Sequence, residues 1–91
     1  MTYLVVVLPR AKRQLTVASE WWRAHRPEAT ELIADELEAV FSSLEHLPER
    51  GTRVQGGSGR RMLVTPTTRS LVIYRVRRRA RRVEIVEVRR P

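Results

Sequence analysis

Beyond an opening apolar run at Tyr3 to Leu8, the hydrophobic period of this 91-residue chain changes once along its length, and that change limits its fold more than any other feature. Between Pro9 and Pro48 apolar residues return every three or four positions, as on one face of a helix. After Arg60 they alternate or run together over short stretches, as in strands. A chain this short makes one domain, residues 1–91, so the helical half has to pack against the sheet half.

Tyr3 to Leu8 precedes the helical half. It is rich in β-branched residues and nearly all apolar, which predicts a strand covered on both faces or pressed under helices. Pro9 closes it and can serve as the first residue of a helix. Ala11, Leu15, Ala18 and Trp22 then recur at helical spacing as far as about His25. Arg26-Pro27 breaks that helix, and Pro27 opens a second with Glu28 and Glu31 in its first turn, where the helix dipole favours acids. Ile33, Leu37, Val40, Leu44 and Leu47 form its apolar stripe, widened by Leu32 and Phe41. Glu31, Asp35, Glu38 and Glu45 lie on the opposite side, and Pro48 stops the helix. So short a connection at Arg26-Pro27 predicts an antiparallel helix hairpin.

Glu49 to Gly59 is glycine-rich, has no apolar period and reads as a loop. Three strands follow: Arg60 to Thr65, Ser70 to Arg77, and Val83 to Val88. In the second, Leu71, Ile73 and Arg75 share one face and Val72, Tyr74 and Val76 the other. Arg77 to Arg82 is the turn between the last two strands, without the Gly or Asn that a tight hairpin favours. The expected fold class is α+β in the order β-αα-β-β-β: a small, mostly antiparallel sheet with the helix hairpin packed on one face.

Without cysteine neither a disulfide nor a thiolate metal site can brace the domain, so packing or a bound partner must do so. Leu4 to Leu8 is too short to cross a membrane and nothing reads as a signal peptide, so a cytoplasmic location is expected. The charge is unevenly divided. From Arg50 onward there are thirteen arginines and two acids, Glu84 and Glu87; the first 49 residues hold five basic residues and eight acids. Lys12 is the only lysine. Arginine suits phosphate and carboxylate forks, although a GC-rich genome gives the same bias. The basic half therefore implies a polyanion or an acidic partner.

Much chemistry is absent. His25 and His46 fall at helix ends with no second ligand type nearby, which fits capping or surface roles rather than a metal site. Gly56-Gly57-Ser58-Gly59 is not a phosphate loop and reads as a connector. No Ser/His/Asp set stands out and no cofactor is implied. Any catalysis would fall to Arg, Tyr and carboxylates, which restricts it mainly to RNA cleavage or other phosphoryl chemistry. Trp21 and Trp22 point about a hundred degrees apart on a helix, so one is expected in the core and the other at the hairpin edge.

Several strings together resemble the RelE/ParE superfamily of type II toxin–antitoxin toxins. They are Tyr3-Leu4-Val5-Val6-Val7-Leu8-Pro9-Arg10-Ala11, Trp21-Trp22, His25-Arg26-Pro27-Glu28-Ala29, Leu47-Pro48-Glu49-Arg50-Gly51, Arg60-Arg61-Met62-Leu63-Val64, Ile73-Tyr74-Arg75-Val76 and Val83-Glu84-Ile85-Val86-Glu87-Val88-Arg89. They span nearly the whole chain in the family's order. The resemblance implies a bacterial growth inhibitor, associated with plasmid stabilisation, that forms a hetero-oligomer with a cognate acidic antitoxin whose partly helical tail wraps over it. RelE-like members enter the ribosomal A site and cut mRNA; ParE-like members poison DNA gyrase.

RelE-like nucleases carry basic residues on the sheet, an arginine at the start of the strand before Tyr-x-Val, and a basic or tyrosine-bearing C-terminal segment. Arg60 and Arg61 meet the first requirement. Leu71 stands where the nuclease arginine would, and Arg69 lies two residues earlier, on the same strand face if the strand reaches that far. No tyrosine follows Arg89-Arg90. These departures favour the ParE-like branch. If the chain were a nuclease, its set would be Arg60, Arg61, Arg69 and Tyr74. As a binding surface for target or antitoxin, the expected residues are Arg60, Arg61, Arg69, Arg75, Arg89 and Arg90. Arg75 is half-buried and paired if it shares a face with Leu71 and Ile73. Arg77, Arg78, Arg79, Arg81 and Arg82 read as a solvated tip, some pairing with Glu84 and Glu87. Three readings follow: a gyrase-binding toxin without chemistry of its own, a ribosome-dependent mRNA endonuclease, and a non-toxic nucleic-acid or protein-binding relic.

Overall fold

A computed structural model describes residues 2–56 and 59–90. In chain order it contains β1 (Leu4–Val7), α1 (Pro9–His25), a 3-10 turn (Pro27–Ala29), α2 (Thr30–His46), β2 (Thr52–Arg53), β3 (Arg60–Val64), β4 (Leu71–Arg77) and β5 (Arg82–Arg89). The strands form one sheet in the order β1-β5-β4-β3-β2. Only β1 and β5 run parallel; the other neighbours are antiparallel. The expected α+β fold is therefore the one that forms.

The helices form where apolar spacing and proline agree. Pro9 needs no N–H partner at the first helical position, and α1 buries Ala11, Ala18 and Trp22. The helix ends when Arg26, whose N–H still donates to Trp22 O, leaves helical geometry and Pro27 follows. In α2 the stripe Ile33, Leu37, Val40 and Leu44 is buried. Leu47, expected in that stripe, is instead the residue at which the helix ends, and it is exposed. The stripe meets Val72 and Tyr74 of β4 and Val83, Ile85 and Val88 of β5. Full burial of a side chain such as Leu44 stabilises the fold by about 1.5–3 kcal/mol, so this shared core is what fastens hairpin to sheet.

β1 is pressed under the helices, one of the two expected arrangements. It is an edge strand: β5 lies on one side of it, and Tyr3 N–H donates to the carbonyl of Glu45 on α2. Val5 and Val7 pack on the core, while Leu4 is exposed. Its apolar run reflects a strand covered on one face and partly covered on the other. Past Val7, Leu8 N–H still donates to Ile85 O, and Gln14 Oε1 of α1 then accepts the Val88 N–H at 2.8 Å. A side chain thus closes the β5 edge where the neighbouring strand stops.

The stretch expected to be a loop, Glu49 to Gly59, contains β2, whose two residues pair with Met62 and Arg61. Two residues are too few to show a period. Gly51 before it is fixed by close approach: a Cβ there would lie 2.6 Å from Tyr74 Oη and 2.8 Å from Met62 O. The β4–β5 turn, which lacks Gly and Asn, closes because Arg81 adopts φ 50°.

β5 carries a bulge. Ile73 faces Glu87 and Tyr74 faces Ile85, so Val86 has no opposite number. Glu84 lies opposite Arg75, and Arg75 shares a strand face with Ile73. The extra residue therefore turns Glu84 and Glu87 to the same side, away from the helices, although three positions separate them.

Candidate functional site

That outward face of the sheet is covered by arginine side chains standing on two buried carboxylates. Glu84 accepts from Arg75 Nε at 2.6 Å, from Arg77 Nε at 3.2 Å and from Arg82 Nε at 3.1 Å. Glu87 pairs with Arg89 Nη2 at 3.0 Å and with Arg10 Nη2 at 3.1 Å. Both carboxylate side chains are less than a tenth exposed, whereas the five arginine side chains paired with them are 34–63% exposed.

Both glutamates are held below the ordinary carboxylate range. For Glu84 the bond from Arg75 leads; burial opposes it, and Arg77 and Arg82 add to it. For Glu87 the bond from Arg89 leads, again against burial, with Arg10 and Arg60 contributing through space. Six guanidinium groups surround two carboxylates, so positive charge is left over. Each guanidinium carries five N–H donors and spends one or two inward, leaving the rest directed at solvent or a partner. The face is bordered by apolar side chains of β3 and β4: Met62, Val64, Leu71 and Ile73, none of them fully buried.

The sequence-predicted residues are spread over more than one surface. Arg60 lies opposite Arg75 and belongs to this face. Arg75 is half-buried and paired, as its shared face with Ile73 implies, and Arg89 is tied to Glu87. Arg61 faces the other way, beside Tyr74 in register. Its Nη1 donates to Gly51 O at 2.8 Å and to Glu49 O at 3.2 Å, so it braces the segment before β2. Arg69 is not on the strand: β4 begins at Leu71, and Arg69 sits in the preceding turn at φ 58°. Arg90 leaves the sheet to stack over Trp21, 4.2 Å from the ring centre, and Trp21 stacks on His25. Trp22 is the core member of the tryptophan pair.

Tyr74 is wholly buried, and its Oη accepts the Gly51 N–H at 2.8 Å. Burial pushes its hydroxyl pKa up, against the Gly51 bond and the nearby arginines. Arg60, Arg61, Arg69 and Tyr74 therefore do not converge as a nuclease set would have to. Arg77 and Arg82, read as part of a solvated tip, are tied to Glu84; Arg78 pairs with Glu49 instead. Arg10 was missed. Its contact depends on the chain turning at Pro9 beside β5, which no local pattern reveals. Among the described residues, no group of His, Cys, Asp or Glu is arranged to hold a metal ion.

The family model of the ParE toxin of the type II toxin–antitoxin system parDE matches residues 5–90. The chain belongs to the ParE toxin family. It is thus a toxin of the ParE/RelE superfamily, as the sequence resemblance implies. No curated protein matches it by sequence. Among solved structures, the chromosomal ParDE toxin–antitoxin system of P. aeruginosa matches with a TM-score of 0.79 at 14% identity, over 98% of this chain and 96% of that one. The RelBE2 toxin–antitoxin complex of Mycobacterium tuberculosis matches with a TM-score of 0.71 at 20% identity, over the full length of both chains. A mutant of the E. coli toxin RelE in the free state matches with a TM-score of 0.63 at 16% identity, over 99% of this chain and 84% of that one. At such identities these likenesses are of fold.

Proposed function

We propose that this ParE-family toxin inhibits bacterial growth by binding DNA gyrase through its arginine-covered sheet face, without chemistry of its own. A cognate acidic antitoxin neutralises it by occupying the same charged face. One observation supports the choice of binding over cleavage: among the described residues, the face presents no free acid–base group. General acid–base catalysis needs a titratable group within hydrogen-bond reach of the reacting atom. Glu84 and Glu87 are buried, ionised and engaged by arginines, and the Tyr74 hydroxyl is buried on the opposite side. Leu71, where the nuclease resemblance asks for arginine, supports the same reading. What remains is a fixed array of guanidinium groups beside apolar residues, suited to an acidic protein surface. The parDE family model and the ParDE and RelBE complexes of like fold support an antitoxin as partner.

Induced expression in a bacterial host tests the proposal. The expected result is blocked replication with an SOS response, relieved by co-expression of the small acidic protein encoded beside the toxin. With purified components, the full chain should trap gyrase–DNA cleavage complexes. Messenger RNA cut at translated codons, with gyrase unaffected, would overturn the proposal in favour of a ribosome-dependent endonuclease. Normal growth with folded toxin and no antitoxin would mark a non-toxic relic.

A further inference from the structure

A second arginine cluster lies on the opposite side of the sheet, in the row of residues that Tyr74 shares. Arg53 of β2, Arg61 of β3 and Tyr74 of β4 are in register there, with Val76 two residues further along β4 and Arg78 just beyond its end. A depression of about 200 Å³ is walled by Arg53, Val54, Arg60, Arg61, Val76 and Arg78, so it reaches the sheet edge at Arg60, which the other face also uses.

The Glu49 side chain already lies against two of these guanidinium groups. Its carboxylate pairs with Arg78 Nη1 and lies 3.9 Å from Arg61 Nη2. Arg78 above all, and then Arg61 and Arg53, hold its carboxyl below the ordinary range. Three guanidinium groups from separate parts of the chain thus act on one carboxylate. Arg61 is the rigid member, its side chain 16% exposed and braced by two carbonyls. Glu49 and Arg78 are open to solvent, at 47% and 60% exposure, and such a pair opens readily.

We infer that this depression is a phosphate-binding site in which Glu49 acts as a built-in competitor for the arginines. The competitor decides the class of ligand. An intramolecular carboxylate has the advantage of high effective concentration, so a free monocarboxylate meets its equal and gains nothing. A phosphate monoester carries about −1.5 to −2 charges and three strong acceptor oxygens. It can engage more than one guanidinium fork at once, which a single carboxylate cannot do as well. When Glu49 swings out, three guanidinium groups over an apolar floor at Val76 are uncovered. The site lies mainly on the other face from the proposed target-binding surface, meeting it only at Arg60, and does not depend on that reading.

Titration of the full chain, followed by NMR of the arginine Nε–H groups at constant ionic strength, tests the site. Inorganic phosphate and pyrophosphate should produce saturable shifts at Arg53, Arg61 and Arg78, while acetate produces none. Glu49→Gln should tighten phosphate binding about three- to fivefold, as expected for release of a surface ion pair. Arg53→Gln and Arg78→Gln should each weaken it by at least as much, with unchanged thermal unfolding. Arg75→Gln on the opposite face should leave it unaltered. A 5′-phosphorylated trinucleotide compared with its unphosphorylated form separates the sources: preference for the former over inorganic phosphate marks a nucleic-acid end, and equal binding marks free phosphate. Absence of binding, an equal response to acetate, shifts confined to Arg75, Arg77 and Arg82, or unchanged affinity in Glu49→Gln would each overturn the inference.

Discussion

Glu84 and Glu36 are both carboxylates with lowered pKa values, yet they are satisfied by opposite means. Glu84 stands under three guanidinium groups. Glu36, on α2, accepts the backbone N–H groups of Thr67 and Thr68 at 2.8 and 2.9 Å and the Thr68 hydroxyl at 2.7 Å. Burial pushes its carboxyl up, but these donors outweigh that and hold it at about 2. Its partners are neutral and fixed by the backbone, so the bonds tie the helix hairpin to the turn before β4. That turn is itself knit together: the Thr65 and Thr68 hydroxyls lie 2.9 Å apart, and Thr65 Oγ1 accepts the Ser70 N–H at 2.8 Å. The partners of Glu84 are long, half-exposed cations whose direction it sets. One carboxylate joins elements of the fold; the other orders a surface.

Substitution at Glu84 should separate the two roles most strongly. Glu84→Gln is expected to lower affinity for the toxin's target at least tenfold, roughly the loss of one charge-assisted contact. Its effect on stability should be smaller, because exposed arginines can turn to water; a gyrase-trapping assay beside a thermal melt measures both. Glu36→Ala should do the reverse. Leaving the Thr67 and Thr68 donors without their acceptor costs about 1–3 kcal/mol, which in a domain of this size lowers Tm by about 4–8 °C per kcal/mol, with toxicity intact. Equal loss of target binding in both variants would erase the distinction.

Acid sharpens it further. A carboxyl whose folded pKa lies below its unfolded value contributes stability that is fully present above the unfolded pKa and lost as pH falls through the folded one. For Glu36 that window runs from about 4.5 down to about 2. Glu36→Gln should therefore flatten the fall in Tm across this range, and an unchanged slope would contradict the assignment. The smallest expected effect concerns Tyr74. Tyr74→Phe should cost about 0.5–1.5 kcal/mol for the lost Gly51 bond, with full growth inhibition retained. Loss of toxicity from a stable Tyr74→Phe protein would return that residue to the list of working groups.

The helix hairpin was legible because α1 and α2 are long and periodic and prolines lie near their ends, although Pro27, expected to open the second helix, opens a 3-10 turn and α2 begins at Thr30. The last three strands were legible because each is a short run holding apolar residues between turn signals, rich in β-branched residues in β4 and β5. β2 was hidden by its length, and the apolar run of β1 says that its faces are covered but not that it lies at a sheet edge. The site was only half legible. Arg75, Arg60 and Arg89 could be placed from strand alternation, whereas Arg10 reaches Glu87 only through tertiary proximity. Glu36 and Glu49 passed as ordinary members of an acidic half because their partners lie in distant turns. Tyr74 looked like a working residue because sequence reveals its hydroxyl but not the glycine pressed against it.

The bulge at Val86 has a consequence for how β5 can change length. Strands keep time in twos, and Val86 is an uncounted beat. Deleting it should leave Glu84, Glu87 and Arg89 looking outward and Ile85 and Val88 inward, because ordinary alternation across the join then restores the same assignment. Deleting a neighbour such as Val83 should instead throw the residues on one side of the gap onto the wrong face. The strand has one place where it can lose a residue and keep its meaning.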